Sequence, residues 1–178
     1  MTQEEKPMSE EKKKVNLSKK SEISINLFLD ISDPENPIVL SKEQEPKSGE
    51  PLPPTIFEIK SKWSKVTWTL ENLISLNSYS DKVVNGKVQR IWDITQMVIS
   101  RIRCLLKSCN LNELDESCEL KFMDSIDVRG VKILTDETMI KLGDCDPAII
   151  NALYNRAVEK LFPQETLAIK NLLMEEKK

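Results

Sequence analysis

Four cysteines and not one histidine stand among the 178 residues, and together they bound the available chemistry. Without imidazole there is no Ser-His-Asp or Cys-His nucleophile and no His-ligated zinc or haem. Cys104, Cys109, Cys118 and Cys145 are separated by 4, 8 and 26 residues, whereas structural zinc sites bring two thiolates on a tight CxxC-type knuckle. They read as structural thiols, reduced and buried or half-buried. Asp115, Glu116 and Glu119 form an acidic run, but it lacks the alternating Asp/Asn and glycine spacing of a calcium loop and reads as solvated. There is no Walker sequence, and four glycines in all leave little material for a phosphate-binding turn. The expectation is a non-enzymatic protein, with no catalytic, cofactor-binding or metal-binding residues and no cofactor.

Binding chemistry has one sequence candidate. Lys60, Lys62, Trp63, Lys65 and Trp68 interleave cations with aromatics, as single-strand nucleic-acid binders do. The competing and preferred reading makes Trp63 and Trp68 anchors of a small core, with the lysines outside. A net charge of -3, from 26 basic and 29 acidic residues, supplies no field for a polyanion. The segment from Asp146 to Leu161 sets only Arg156 and Lys160 against Asp146 and Glu159, which is poor for phosphate contacts. Nucleic acid is therefore disfavoured as a partner. No run of about 18 apolar residues offers a membrane span, and Met1 to Lys6 lack the apolar centre of a signal peptide. An intracellular, reducing compartment is expected.

These residues must be held by elements that the hydrophobic pattern suggests. Residues 1–20 carry six lysines and four glutamates with almost nothing to bury, and read as a disordered charged tail. Within residues 21–40, Ile23, Ile25, Leu27, Leu29 and Ile31 occupy every second position, the period of a half-buried strand, and Ile38 to Leu40 can return as its hairpin partner. Residues 41–54 hold four prolines and read as a linker, which would make the hairpin an appended element. Residues 55–178 read as a helical domain, entered through one or two short extended stretches between Ile56 and Trp68.

Within that domain Thr67 or Thr69 can cap a first helix through Leu70, Leu73, Ile74 and Asn77, broken at Asp81 to Gly86. The strongest expected helix runs from about Lys87 to Cys109, with Val88, Ile91, Trp92, Val98, Ile99, Ile102 and Leu105 on a core stripe. Arg90, Ser100, Arg101 and Arg103 fall on its polar face. A loop with at most one short helix covers Asn110 to Val131. Thr135-Asp136-Glu137 then opens a short helix with Met139, Ile140 and Leu142 facing inward, which Gly143 ends as a left-handed residue, and Asp146-Pro147 opens another to Phe162-Pro163. A last helix carries Leu167, Ile169, Leu172 and Leu173. The expected fold class is mainly α: a small helical domain with a short N-terminal β element and a disordered N-terminal tail.

The order of elements resembles a known family. Trp68 to Leu73, Leu105 to Leu111, Leu134 to Thr138 and Asp146 to Leu153 fall in the arrangement of the small tail-assembly chaperones of tailed bacteriophages, over about Ile56 to Leu161. The N-terminal extension and the last helix depart from that build. The resemblance implies a protein of the host bacterial cytoplasm that coats the helices of a tape-measure protein and helps recruit tail-tube subunits. A virion structural component of baseplate or tail is the first alternative, and a small nucleic-acid-binding regulatory protein the second. Partners are then proteins and not membranes, and no residue pattern sets an oligomeric state.

Overall fold

The computed structural model describes residues 22–47 and 49–167. The charged tail over residues 1–20 and the last helix beyond Leu167, with Ile169, Leu172 and Leu173, lie outside the described residues. The fold is mixed α/β and not mainly α. Its centre is a four-stranded antiparallel sheet made from β1 (Glu22–Asp30), β2 (Ile38–Val39), β3 (Ile56–Ser64) and β6 (Leu106–Cys109), in the order β2-β1-β3-β6. The alternation in β1 and β3 is the cause. Ile25 lies opposite Ser61 and Leu27 opposite Ile59 in a nine-pair register, so one face is apolar along both strands. The N-terminal strand is thus an inner strand of the main sheet.

Helices cover that face. α1 (Trp68–Leu76), α2 (Ile94–Leu105), α3 (Asp136–Asp144) and α4 (Pro147–Leu161) contribute Leu70, Leu73, Ile102, Leu105, Leu142 and Leu153 to a core shared with Leu27, Ile59 and Trp63. Asp146 caps α4 with Pro147 as its first residue, as the sequence predicts; of the two threonines that could cap α1 it is Thr67 that does, Thr135 caps α3, and Ile140 faces outward, not inward as expected. Gly143 does not terminate α3. It lies inside the helix at an ordinary negative φ, and the chain turns out at Cys145.

The expected helix from Lys87 to Cys109 is divided. Residues 87–92 form β5 (Lys87–Trp92), paired with β4 (Tyr79–Val84) across Asn85-Gly86, both at positive φ as a type I′ turn requires. Asp93 then caps α2, accepting from the amides of Thr95 and Gln96. After Leu105 the chain passes directly into β6, Leu106 being extended at φ -67 and ψ 125 and paired with Trp63 of β3. Lys107 is the extra residue of a bulge opposite Lys62 and Trp63, and its Nζ donates to the carbonyls of Cys104 and Lys132. Helical periodicity failed here because the apolar residues of 88–92 also suit a two-stranded ribbon. Between Asn110 and Val131 lie two single-turn helices, at Leu111–Glu113 and Glu116–Cys118. They are followed by β7 (Phe122–Asp124), which pairs with β8 (Lys132–Leu134).

One edge of the sheet is guarded by side chains. Beyond the two residues of β2, β1 turns the carbonyls of Ser24 and Asn26 outward, on the side where Phe28 O accepts from Leu40 N. Arg156 of α4 donates to Asn26 O at 3.0 Å and Lys160 donates to Ser24 O at 3.3 Å. Arg156 also donates to Leu40 O and pairs with Glu45, which fastens residues 41–47 to the helix. An open strand edge is a template for pairing with other chains, and cationic side chains close it.

Candidate functional site

None of Cys104, Cys109 and Cys145 is a thiol activated at neutral pH. Burial pushes the Cys104 thiol up to about 11 against the opposing pull of Lys107 and Arg103. It pushes Cys109 to about 11 as well, and Cys145, which also touches Cys118, to about 12. A thiol that is largely thiolate at neutral pH needs the opposite displacement. Among the described residues no group of three His, Cys, Asp or Glu side chains is placed to hold a metal ion. Nor is any helix there long and apolar enough to cross a membrane. Asp115 caps the turn at Glu116–Cys118 by accepting from Ser117 N, and the Ser117 hydroxyl first and that amide second hold its carboxyl below the usual range.

The Lys60 to Trp68 cluster is taken apart by the fold. Trp63 is 1% exposed in the core, where its Nε1 donates to Ser61 Oγ and Ser61 in turn donates to Ile25 O. It has no face to offer a base. Trp68 is the reverse of the expected core anchor: it is the first residue of α1 and 79% exposed.

What replaces that cluster is an apolar surface running from α1 onto the β4–β5 ribbon. On α1, Leu70, Leu73 and Ile74 turn inward, which leaves Trp68, Asn72 and Leu76, four residues apart, on the outer side. On the ribbon, the register puts Tyr79, Asp81 and Val83 on one face, opposite Trp92, Arg90 and Val88. Val83 and Val88 face each other near the tip at 73% and 71% exposure. Asn72, Ser75 and Leu76 meet Tyr79 and Arg90 along an open groove of about 570 Å³.

The root of the ribbon is fixed. Arg90 lies over the Tyr79 ring, 5.4 Å from its centroid, and donates to Leu76 O at 2.9 Å. It thereby supplies the cation that the last turn of α1 lacks. Asp93 accepts from Ser80 Oγ and pairs with Lys82, while its own amide donates to the carbonyl of Ser78. The Gln96 amide foremost, then the Ser80 hydroxyl, hold the Asp93 carboxyl below the usual range. A two-stranded hairpin has little stability alone, so this anchoring is what lets the tip project with its valines uncovered. No family model matches this chain, and no curated protein or solved structure matches it either.

The groove was missed by helical periodicity, yet its signal was present. Asn85-Gly86 between two runs containing valines is a strong short-range hairpin signature, and reading it as a helix break alone conceals the ribbon. Arg101 was misplaced for the same reason. With α2 starting at Ile94, Arg101 points inward, is 8% exposed, stacks 3.9 Å over the Phe162 ring and gives Nη2 to both carboxylate oxygens of Glu165.

Proposed function

We propose that this protein is a non-enzymatic assembly factor that holds an apolar helix of a larger protein in the groove between α1 and the β4–β5 ribbon. The observation that carries this reading is the exposure of Trp68 and Leu76 along the outer side of α1 and of Tyr79, Val83 and Val88 on one face of the anchored ribbon. An open groove in which Leu76 and Tyr79 are flanked by Asn72, Ser75 and Arg90 suits the helix-in-groove mode, where a few apolar and aromatic anchors supply most of the affinity. Asp81, on the same face and in no ion pair among the described residues, favours a helix carrying a lysine or arginine beside its apolar stripe.

The pattern-level resemblance to tail-assembly chaperones of tailed bacteriophages gives this a biological setting: the host cytoplasm, with tape-measure helices as the bound partner. Co-expression of the full chain with the large helical protein encoded beside it tests both. The expected result is a soluble complex that Leu76→Asp and Val83→Lys abolish while the thermal unfolding midpoint of the free chain stays within a few degrees. A partner that remains insoluble, or a complex indifferent to both substitutions, overturns the reading. Purified particles containing this chain in stoichiometric amount would transfer it to the virion structural class.

A further inference from the structure

Apart from that surface, two thiols touch. Cys118 closes the single turn Glu116–Cys118 and Cys145 is the residue at which α3 gives way to α4, and their Sγ atoms are 2.9 Å apart. A disulfide needs about 2.05 Å. We infer that Cys118 and Cys145 are a site of reversible disulfide formation, taking a low-molecular-weight disulfide as oxidant. This does not depend on the proposed function.

The surroundings suit that chemistry. Cys118 is buried while Cys145 is partly exposed, and both line a cleft of about 640 Å³ with Ile31, Pro37, Leu114 and Ile149. The oxidant therefore reaches Cys145 first. The Cys145 thiolate attacks one sulfur of the small disulfide, a mixed disulfide forms and the first small thiolate leaves. The Cys118 thiolate then attacks the Cys145 sulfur and expels the second. Two protons pass from the protein thiols to the departing thiolates, and two electrons pass to the oxidant. Cys104, buried in the core, stays outside the exchange. The thiol of Cys145 is held protonated at neutral pH by burial and by its neighbour, so the pair stays reduced without an oxidant and reacts faster as pH rises, roughly tenfold per unit.

The test treats the full chain with oxidised glutathione, then maps peptides by mass spectrometry without reduction. The expected product has lost two mass units and yields a Cys118–Cys145 linked peptide, and thiol reductant reverses it. Cys104→Ser combined with Cys109→Ser retains the link, while Cys145→Ser alone removes it. Closing a loop between residues 27 apart raises the unfolding midpoint on the order of 10 °C over the reduced chain. A glutathione adduct that persists on Cys145, a Cys109–Cys118 link, or an unchanged mass overturns the inference.

Discussion

Arg156 joins three parts of the fold through one side chain, and its removal has a calculable effect. It donates to Asn26 O at 3.0 Å and to Leu40 O at 3.3 Å, and pairs with Glu45. Its side chain is 16% exposed and that of Glu45 is 22%. In Arg156→Ala the two carbonyls face a gap into which water enters only partly, and each lost bond costs about 1 kcal/mol. The unpaired Glu45 adds roughly another 1 kcal/mol, well below the value for a fully buried pair because some solvent reaches it. The expected total is about 2–3 kcal/mol. With a urea dependence of about 2 kcal/mol/M, the unfolding midpoint falls by about 1–1.5 M. Arg156→Lys recovers only part of this, since a single ammonium does not span the three partners that the guanidinium fork reaches. Combining Arg156→Ala with Glu45→Gln isolates the pair, with an expected coupling of about 1 kcal/mol. A loss under about 0.5 kcal/mol, or a lysine variant equal to the parent, refutes the claim that this residue closes the sheet edge.

Two other perturbations follow from named contacts. Glu165→Ala leaves the Arg101 guanidinium facing only the Phe162 ring, with an Nε that finds no acceptor among the described residues. It should lower stability by about 1–2 kcal/mol, Glu165 being half-exposed, whereas Arg101→Met should stay within about 0.5 kcal/mol by thermal unfolding. The reverse order of the two variants would contradict the assignment. Asp30, Asp33, Asp93, Asp115 and Glu137 are all held below their ordinary range. The principal partners are the Ser32 hydroxyl, the Asn36 amide side chain, the Gln96 backbone amide, Ser117 and the Lys141 ammonium. Depressed folded-state values stabilise above the unfolded value and lose that contribution as pH falls through the folded one. Urea midpoints should therefore hold from pH 7 to about pH 5 and drop below about pH 4; a flat profile to pH 3 would count against these contacts.

How far the sequence leads depends on whether a segment's pattern has one solution. The period-2 run Ile23 to Ile31 admits only a strand, and Asp146 before Pro147 reads as a cap, so these are readable, whereas the choice between Thr67 and Thr69 rests on where α1 begins. Lys87 to Cys109 is harder, because Val88, Ile91, Val98, Ile102 and Leu105 satisfy a helix equally well; the local Asn85-Gly86 signature argues for the ribbon, while the passage from α2 into β6 is decided by the pairing of Trp63 with Leu106. That single ambiguity produced the mainly α expectation, hid the ribbon and placed Arg101 on the wrong side. The exposure of Trp68 was equally hidden, since a tryptophan at a helix start packs inward or outward according to what lies beside it.

The guarded edge of β1 has a temporal side. The strand is made early and its guard late: Arg156 stands 130 residues beyond the carbonyl it covers. At synthesis rates of about 5–20 residues per second, the edge stays uncovered on the ribosome for roughly 6 to 26 s. In that interval a nascent chain resembles a neighbour's missing strand, and crowding of polysomes sets the chance of wrong pairing. Overproduction at lower temperature, or slower initiation that spaces the ribosomes, acts on that interval and leaves the stability of the finished molecule untouched.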